Sequence, residues 1–284
     1  MIILPTQEKV WIITGCSTGF GRHIAKHAIN AGYKVAITAR NVEAIRDITE
    51  GHEKNTLTLP LDVTNKDQIN SVVSETIEKF GHIDVLVNNA GIGYFASVEE
   101  SIEEETRKMF EINFWGLMHM TNAVLPYMRN RRSGHIINFS SIGGLASFPT
   151  LGYYHATKYA LEGISESLAQ EVASFNIHVT LIEPGAFRTD WGGRSSVKTE
   201  TQISDYSESS VGQMLNYLQQ GGGQEPGDPA KAAEAVIMIT QADNPPLRLL
   251  LGEGAYLGAT SKFTNLLASI EEWKETTLNA DFKN

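Results

Sequence analysis

The sequence has little of what marks disulfide-bonded, membrane-spanning or nucleic-acid-binding proteins. Its one cysteine, Cys16, excludes an intrachain disulfide and favours a reducing compartment. No apolar run approaches the roughly 20 residues that a bilayer-spanning helix needs. Basic residues are also fewer than acidic ones, and the formal net charge is −10. Such a charge argues against a nucleic-acid-binding surface. We therefore expect a soluble, cytoplasmic protein that binds neither nucleic acid nor a membrane.

The 284 residues have an ordinary globular composition, 42% hydrophobic and 20% charged. Short apolar runs alternate with stretches of helical periodicity, the longest over residues 101–130. Several runs are apolar at every position, which is typical of strands in a parallel sheet covered on both faces. We predict an α/β fold, a doubly wound parallel sheet (Rossmann fold) with helices on both faces, in one domain over residues 1–284. Its strands, about seven, are predicted over residues 9–14, 33–39, 56–61, 83–87, 134–139, 177–182 and 247–251.

The first predicted strand leads into a glycine-rich loop, Thr-Gly-Cys-Ser-Thr-Gly-Phe-Gly, at residues 14–21. Gly15, Gly19 and Gly21 permit a tight turn and allow the N–H groups of the next helix to approach a pyrophosphate. The spacing departs from Gly-x-Gly-x-x-Gly, and a glycine turn without a ligand is the alternative. The position directly after a buried strand favours a dinucleotide site.

The end of the second predicted strand indicates which dinucleotide is bound. NAD-binding sheets carry an acidic residue here, whereas this chain has Ala39 and Arg40, with no carboxylate before Glu43. A guanidinium can bind a 2′-phosphate through two hydrogen bonds, so NADP(H) is preferred over NAD(H). Asp62 follows the third strand, where its carboxylate either accepts a hydrogen bond from an adenine amino group or caps the next helix.

Tyr154 and Lys158 stand four residues apart in the segment YYHATKYALEG. Residues at this spacing share one face of a helix, although such pairs also occur on solvated faces. A positive charge beside a phenol favours the phenolate and lowers its pKa from about 10 toward neutrality. The pair could then protonate a carbonyl oxygen or deprotonate an alcohol.

Taken in order, these motifs resemble those of the single-domain short-chain dehydrogenase/reductases, near the bacterial carbonyl reductase and hydroxysteroid dehydrogenase-like branch. The resemblance extends from Lys9 to about Thr189. It rests on the TGCSTGFG loop, Asp62-Val63, Asn88-Asn89-Ala90-Gly91, Asn113, Ser140-Ser141, YHATK and Pro184-Gly185.

The resemblance implies a catalytic role for four residues. Tyr154 would be the proton donor and acceptor, and Lys158 would lower its pKa and bind the nicotinamide ribose. Ser141, rather than Ser140, would hold the substrate oxygen. Asn113 would lie within a helix and hold a water that relays protons to Lys158. No metal is expected. The residues expected to bind the cofactor are Gly15, Ser17, Thr18, Gly19, Phe20, Gly21, Arg40, Asp62, Val63, Asn89, Ala90, Gly91, Tyr154, Lys158, Pro184, Gly185, Phe187 and Thr189.

The substrate is expected to meet mostly apolar side chains, which suits a hydrophobic ketone. The residues expected to bind the substrate are Ser141, Tyr154, Tyr94, Leu145, Phe148 and Trp191. Of the apolar candidates Tyr94, Phe95, Leu145, Phe148, Trp191 and Met214, half could simply fill the core. Residues 190–225 follow the Pro184-Gly185 turn and are predicted to form a mobile lid with a short amphipathic helix. The alternative is a surface loop without contact to the substrate.

The C-terminal extension, about residues 245–284, departs from the family pattern. It lacks the short Gly-Gly-rich terminal strand region of tetrameric members and resembles the tails of reductases close to the hydroxysteroid and retinol dehydrogenases. An amphipathic helix is predicted through Phe263, Leu266, Leu267, Ile270 and Trp273. The sequence therefore leaves two alternatives for the oligomeric state, a homodimer and a homotetramer.

The expected function is hydride transfer between NADP(H) and a small-molecule carbonyl or secondary alcohol, most consistent with a hydrophobic ketone or aldehyde. One alternative is a catalytically silent NADP-sensing protein on the same fold, which the presence of Ser141, Tyr154 and Lys158 disfavours. Another is an epimerase or dehydratase. Those enzymes usually carry a larger C-terminal substrate domain, for which about 100 residues after Pro184-Gly185 leave little room.

Overall fold

A seven-stranded parallel sheet forms the centre of the molecule, confirming the predicted doubly wound architecture. The computed structural model describes residues 8–193, 196–199, 202–219 and 224–282. The strands are β1 (Val10–Ile13), β2 (Lys34–Ala39), β3 (Thr56–Pro60), β4 (Val85–Asn88), β5 (Gly93–Phe95), β6 (Gly134–Phe139), β7 (Ile177–Pro184), β8 (Ser196–Lys198) and β9 (Arg248–Leu251). The sheet order is β3-β2-β1-β4-β6-β7-β9. The order reverses between β1 and β4, where doubly wound sheets bind ligands.

Helices cover both faces of this sheet. They are α1 (Gly19–Asn30), α2 (Arg46–Thr49), α3 (Lys66–Phe80), α4 (Glu103–Phe110), α5 (Leu117–Arg131), α6 (Gly152–Val172), α7 (Ser204–Ser207), α8 (Ser210–Gln219), α9 (Pro229–Ile239), α10 (Glu253–Glu272) and α11 (Lys274–Leu278). The first helix ends before Gly32, whose φ of +84° is the left-handed conformation that stops a helix. Among the described residues, no helix has both the length and the apolarity to cross a bilayer.

Alternate side chains of the central strands fill two cores, one beneath each helical layer. On one face Trp11, Ile13 and Ile37 pack with residues of α1 and α9. On the other face Ile12 and Leu86 pack with residues of α3 and α5. Because both faces are covered, these strands read as continuous apolar runs rather than as alternating patterns.

Two features differ from the sequence-based expectation. The helix predicted over 101–130 begins at Glu103 and contains a π-helical turn at Glu111–Gly116, between α4 and α5. A small second sheet, in which β5 pairs in parallel with β8, was not predicted. Three-residue strands are too short to show a periodicity, and their partners are about a hundred residues apart in the chain.

Candidate active site

A cleft of about 410 Å³ opens at the carboxyl ends of the central strands. The sequence-predicted residues that line it are Gly15, Ser17, Thr18, Gly19, Phe20, Arg40, Asp62, Val63, Asn89, Ala90, Gly91, Ser141, Tyr154, Lys158, Pro184, Gly185, Phe187, Thr189 and Trp191. Five other predicted residues do not line it: Gly21, Tyr94, Asn113, Leu145 and Phe148. The cleft is also lined by residues that were not predicted, among them Ile92, Ile112 and Phe139.

The glycine loop closes one end of the cleft and is held from beneath by hydrogen bonds. The Thr14 hydroxyl oxygen accepts from the main-chain N–H groups of Asn89 and Ala90, both at 3.0 Å. The Asn89 amide donates to the carbonyl oxygens of Thr14 and Gly15, at 2.9 and 3.0 Å. A Cβ atom on Gly21 would lie 2.4 Å from the Asn89 amide nitrogen and from the Gly15 oxygen. Gly21 therefore permits the close packing of the loop and does not face the cleft.

The N-terminus of α1 fits the phosphates of a dinucleotide. Thr18 occupies the N-cap position without a capping side-chain hydrogen bond, and the first turn holds no acidic residue. Helix N–H groups in such a place favour an anion. Gly19, with φ of +54°, and the neighbouring Gly15, with φ of +71°, keep the loop backbone free of Cβ atoms. Cys16, which belongs to this loop, has a buried side chain, and its burial raises the pKa of the thiol to about 12.

Arg40 and Asp62 lie where the second and third strands end, and both line the cleft. The Asp62 carboxylate accepts hydrogen bonds from the Thr64 main-chain N–H at 2.9 Å and from its hydroxyl at 2.7 Å. Burial alone would raise the pKa of Asp62, but these two bonds and the charge of Arg40 outweigh it and lower the pKa. The capping alternative for Asp62 is wrong, because Asn65 caps α3 instead.

Tyr154 and Lys158 share one face of α6 at the other end of the cleft, and each is 7% exposed. The Lys158 ammonium donates to the Phe139 carbonyl oxygen at 2.7 Å and lies 5.6 Å from the centroid of the Tyr154 ring. Ser141 forms a side-chain hydrogen bond with the phenol. The Ser141 oxygen also accepts from the Gly143 N–H at 3.0 Å, which fixes the serine at the start of a 3₁₀ turn.

Burial changes the proton affinity of both groups on α6. It raises the pKa of Tyr154 to about 12, an effect that the hydrogen bond with Ser141 opposes. It lowers the pKa of Lys158 to about 8, an effect that the charge of Glu162 opposes. Burial therefore raises the pKa of Tyr154 instead of leaving it lowered toward neutrality, as was expected from the neighbouring Lys158.

Asn113 lies on the π-helical turn, behind the cleft. Its amide donates to the Ile92 carbonyl oxygen at 2.9 Å and to the Thr157 hydroxyl at 3.3 Å, and its oxygen accepts from the Ile92 N–H at 2.9 Å. Both amide N–H groups are thus used by protein atoms. Asn113 thereby joins α6 to the segment after β4, and its water-holding role stays a prediction.

Aromatic rings form the walls of the cleft. Trp191 packs against Tyr154 with ring centroids 4.9 Å apart. At the glycine-loop end, the centroid of the Phe20 ring lies 5.1 Å from that of Phe187 and 5.3 Å from that of Phe139. These contacts line both ends of the cleft with apolar surface.

Three predicted substrate contacts lie elsewhere. Tyr94 is buried behind Tyr154 and Trp191, and its hydroxyl accepts from the Ile102 N–H at 2.8 Å. Leu145 is buried, and Phe148 is 40% exposed outside the cleft. Sequence pattern alone could not separate these positions from Trp191, because all four are apolar residues close in sequence to site motifs.

Described parts of the predicted lid are tied to the body of the protein. The strand β8 pairs with β5, and the Glu100 carboxylate accepts from the main-chain N–H groups of Gln202 and Ile203. The predicted amphipathic helix is present as α8, with Leu215 buried. Residues 194–195, 200–201 and 220–223 of the predicted lid lie outside the described residues.

Two buried carboxylates behind Lys158 were missed. Glu162 is 5% exposed and Glu183 is fully buried. The Arg248 Nε atom lies 2.9 Å from a Glu162 oxygen and 3.5 Å from a Glu183 oxygen. Burial and the charge of Glu162 raise the pKa of Glu183 to about 8, although Arg248 opposes this. Glu162 could have been found from its place one turn after Lys158, whereas Glu183 lies near the end of a buried strand, where no local pattern marks it.

Comparisons with known proteins agree with this geometry. The short chain dehydrogenase family profile matches residues 9–200. An oxidoreductase of Botryotinia fuckeliana is 40% identical over 273 residues, which are 96% of this chain and 99% of that protein. A 3-ketodihydrosphingosine reductase of Bacteroides thetaiotaomicron is 37% identical over 253 residues, which are 87% of this chain and 88% of that protein.

Solved structures show the same fold, some with a dinucleotide bound. A short-chain dehydrogenase from Streptomyces avermitilis has a TM-score of 0.90 at 41% identity, covering 98% of this chain and 100% of its own. An alcohol dehydrogenase from Thermococcus sibiricus, in complex with 5-hydroxy-NADP, has a TM-score of 0.71 at 27% identity, covering 86% and 96%. A 3-ketoacyl-(acyl-carrier-protein) reductase from Brucella melitensis, in complex with NADH, has a TM-score of 0.71 at 25% identity, covering 88% and 98%. Similar structures thus bind NADP or NADH.

Proposed function

The chain belongs to the short chain dehydrogenase family of oxidoreductases, and on that premise we propose that it is a carbonyl reductase or alcohol dehydrogenase using NADP(H). It transfers a hydride between this cofactor and a hydrophobic ketone or aldehyde, or the corresponding alcohol. One observation carries the proposal: Ser141, Tyr154 and Lys158 line the same cleft as the glycine loop. One end of this cleft is equipped for phosphates and the other for proton transfer.

The residues at the Tyr154 end have separable tasks. A nicotinamide bound in the cleft would supply or accept the hydride. Because its pKa is about 12, Tyr154 is protonated at neutral pH and donates its proton to the carbonyl oxygen during reduction. The Ser141 hydroxyl donates a hydrogen bond to the same oxygen, where negative charge develops. Lys158, with a pKa of about 8, is mainly cationic at neutral pH and stabilises the phenolate that remains.

The preference for NADP(H) rests on the edge of the cleft near Arg40. This guanidinium lines the cleft, and the end of β2 carries no carboxylate that would bind a ribose hydroxyl or repel a 2′-phosphate. The 5-hydroxy-NADP complex of the alcohol dehydrogenase from Thermococcus sibiricus supports the same choice. The Asp62 carboxylate, held by Thr64, would accept a hydrogen bond from the adenine amino group.

The substrate class follows from the apolar character of the walls. Trp191 covers Tyr154, and Ile92 and Ile112 line the same cleft. A ketone with a long apolar substituent would bury more surface here than a small polar one. The relative from Bacteroides thetaiotaomicron, by its name a 3-ketodihydrosphingosine reductase, supports such a substrate.

A series of ketones and aldehydes that differ only in the length of an apolar chain tests the proposal. Consumption of NADPH is followed for each, with NADH in parallel and Tyr154→Phe as the control. Each additional buried methylene is worth about 0.8 kcal/mol, so kcat/KM should rise roughly fourfold per methylene until the cleft is filled. A protein that binds NADPH in calorimetry but reduces none of the series would instead support the silent NADP-sensing function.

A further inference from the structure

The outer half of α10 projects from the body of the protein. The inner turns of this helix are packed, since Ala255 is fully buried and Ala259 is 2% exposed. A Cβ on Gly258 would lie 3.5 Å from the Ile142 side chain, next to Ser141. Beyond these turns every residue from 260 to 282 is exposed, through the end of α10 and the whole of α11.

The projecting segment carries a continuous apolar stripe. Phe263, Leu266, Leu267, Ile270 and Trp273 follow one another at intervals of three, one, three and three residues, the spacing of one helix face. Leu267 and Trp273 are each 61% exposed, and the remaining three are 46–53% exposed. In a seven-residue repeat, Phe263 and Ile270 occupy the first position, and Leu266 and Trp273 occupy the fourth. These are the two positions that face a partner helix in a coiled coil.

The projecting segment should be only marginally stable as a helix while its apolar stripe faces water. A helix of this length without tertiary contacts is marginally stable, because packing of the apolar face supplies most of the stability of protein helices. The five large side chains of the stripe are 46–61% exposed. At roughly 100 Å² each, they present on the order of 500 Å², so a pair of copies would bury about 1,000 Å², the area at which specific protein interfaces begin.

We propose that the stripe pairs with the same stripe of a second copy of this chain, with the helices antiparallel about a two-fold axis near Ala268. In this register Leu266 packs on Ile270 of the second copy and Phe263 packs on Trp273, as first and fourth heptad positions do in antiparallel pairs. Leu267 meets Leu267 of the second copy beside the axis. The antiparallel direction also keeps the two bodies at opposite ends of the helix pair.

Charge favours a second copy over a lipid surface as the occupant. The segment 260–282 contains Lys262 and Lys274 but four acidic residues, Glu271, Glu272, Glu275 and Asp281. Helices that bind in the membrane interface are rich in lysine and arginine beside their apolar face, since cells present anionic lipids there. In the proposed pair, by contrast, no like charges face each other across the interface.

The oligomeric state tests the pairing directly. Sedimentation velocity over the micromolar range should show a concentration-dependent dimer. Leu266→Glu/Ile270→Glu should weaken the dimer by about 100-fold or more, because each substitution buries an unpaired charge at the contact. The matched control, Asn265→Glu/Ala268→Glu, adds the same charge to the opposite helix face and should dimerise as the original chain does. NADPH affinity should be unchanged in both variants, which checks that the body is folded.

Cysteine cross-linking tests the antiparallel register. Leu267→Cys should form a disulfide-linked dimer on mild oxidation, since residue 267 meets its own copy near the axis. Lys262→Cys should not, because antiparallel pairing places the two copies of residue 262 roughly 20 Å apart. The natural Cys16 is buried and its pKa is raised, so it does not compete. Equal cross-linking of both variants would overturn the register in favour of a parallel pair.

Two results would overturn the proposal as a whole. One is a chain that remains monomeric throughout the micromolar range. The other is sedimentation of the chain with vesicles of phosphatidylcholine and phosphatidylglycerol that Leu266→Glu/Ile270→Glu abolishes, because the stripe would then bind lipid. Dimers that survive Leu266→Glu/Ile270→Glu unchanged would place the interface elsewhere and would also contradict it.

Discussion

The two ends of the cleft are built from different groups. At the glycine-loop end, main-chain atoms dominate, and the Asn89 amide holds the turn by bonding the Thr14 and Gly15 carbonyl oxygens. At the other end, buried side chains dominate, and Tyr154 and Lys158 are each 7% exposed. The loop end therefore depends on shape and on the absence of side chains, whereas the Tyr154 end depends on which groups carry protons. Substitutions at the loop end should therefore act through the shape of the loop, and those at the Tyr154 end through proton transfer.

The largest effect is expected at the Tyr154 end. Tyr154→Phe keeps the ring and its packing on Trp191 but removes the transferable proton, so kcat should fall by about 10²–10⁴-fold while NADPH affinity is retained. Steady-state kinetics and calorimetry on the same preparation measure the two quantities. If most of the rate survived, the acid would have to be another group, and Tyr153, which is 37% exposed, would be the first to examine.

Cofactor choice should change at the loop end. Arg40→Asp removes the partner of the 2′-phosphate and adds a like charge, so NADPH affinity should fall by roughly 10- to 100-fold while NADH affinity changes little. Arg46→Asp is the matched control, because Arg46 is exposed nearby, pairs with Glu43 and does not line the cleft. Equal losses of affinity for both cofactors would show that Arg40 acts only through the overall electrostatic potential of the cleft and makes no specific contact with the 2′-phosphate.

Shape alone should matter at Gly21. Gly21→Ala places a methyl group 2.4 Å from the Asn89 amide nitrogen and the Gly15 oxygen, so the loop must move. We expect a loss of about 1–3 kcal/mol in the free energy of unfolding, together with weaker NADPH binding. Gly163→Ala is the control, since its Cβ would meet nothing within 4 Å on α6. That variant should be slightly more stable, by up to about 1 kcal/mol. Denaturant unfolding compares the two, and equal stability would contradict the packing role.

The pH dependence should report on Glu162, which we expect to keep Lys158 charged. With a Lys158 pKa of about 8, kcat/KM for reduction should be level below that pH and fall above it as the ammonium loses its proton. Removing a nearby negative charge disfavours the cation, so Glu162→Gln should shift this alkaline limb to lower pH by roughly one unit.

Glu166→Gln is the control for this pH profile. Glu166 bonds the same Arg248 at 2.6 Å but is exposed. The Glu166→Gln variant should therefore leave the alkaline limb of the kcat/KM profile at the same pH. A purely structural role of Glu162 would lower the rate at every pH without moving the limb.

The smallest effect concerns the segment around Trp191. If residues 190–225 act as a lid over the Tyr154 end, hydrogen exchange across Gln213 to Tyr217 should slow by a few-fold with NADP(H) and substrate bound. Exchange in the glycine loop should already be slowed by the cofactor alone. Exchange at α8 that is unaffected by saturating ligands would leave this helix as ordinary surface.

Some parts of the site were predictable because they depend on local geometry. Tyr154 and Lys158 meet on α6 since four residues nearly complete a helical turn. The glycine loop was located by its place after an apolar strand. Tyr94 and Phe148 were misplaced for the opposite reason, because pattern records that a residue is apolar but not which cavity it faces. The role of Asn113 depends on its bonds to Ile92, which lies 21 residues away in the chain.

The sequence by itself determined the seven strands of the central sheet and their parallel direction, the anion-binding loop and the Tyr154–Lys158 pair, since each follows from periodicity or from conformational freedom within a few residues. Only the tertiary structure decided the proton affinities and the surroundings of these groups. Burial raises the pKa of Tyr154 to about 12, and β7 and β9 bring Glu183 and Arg248 to Glu162 behind Lys158. Desolvation and long-range charge depend on what packs around a residue, and that is decided by residues far away in the chain.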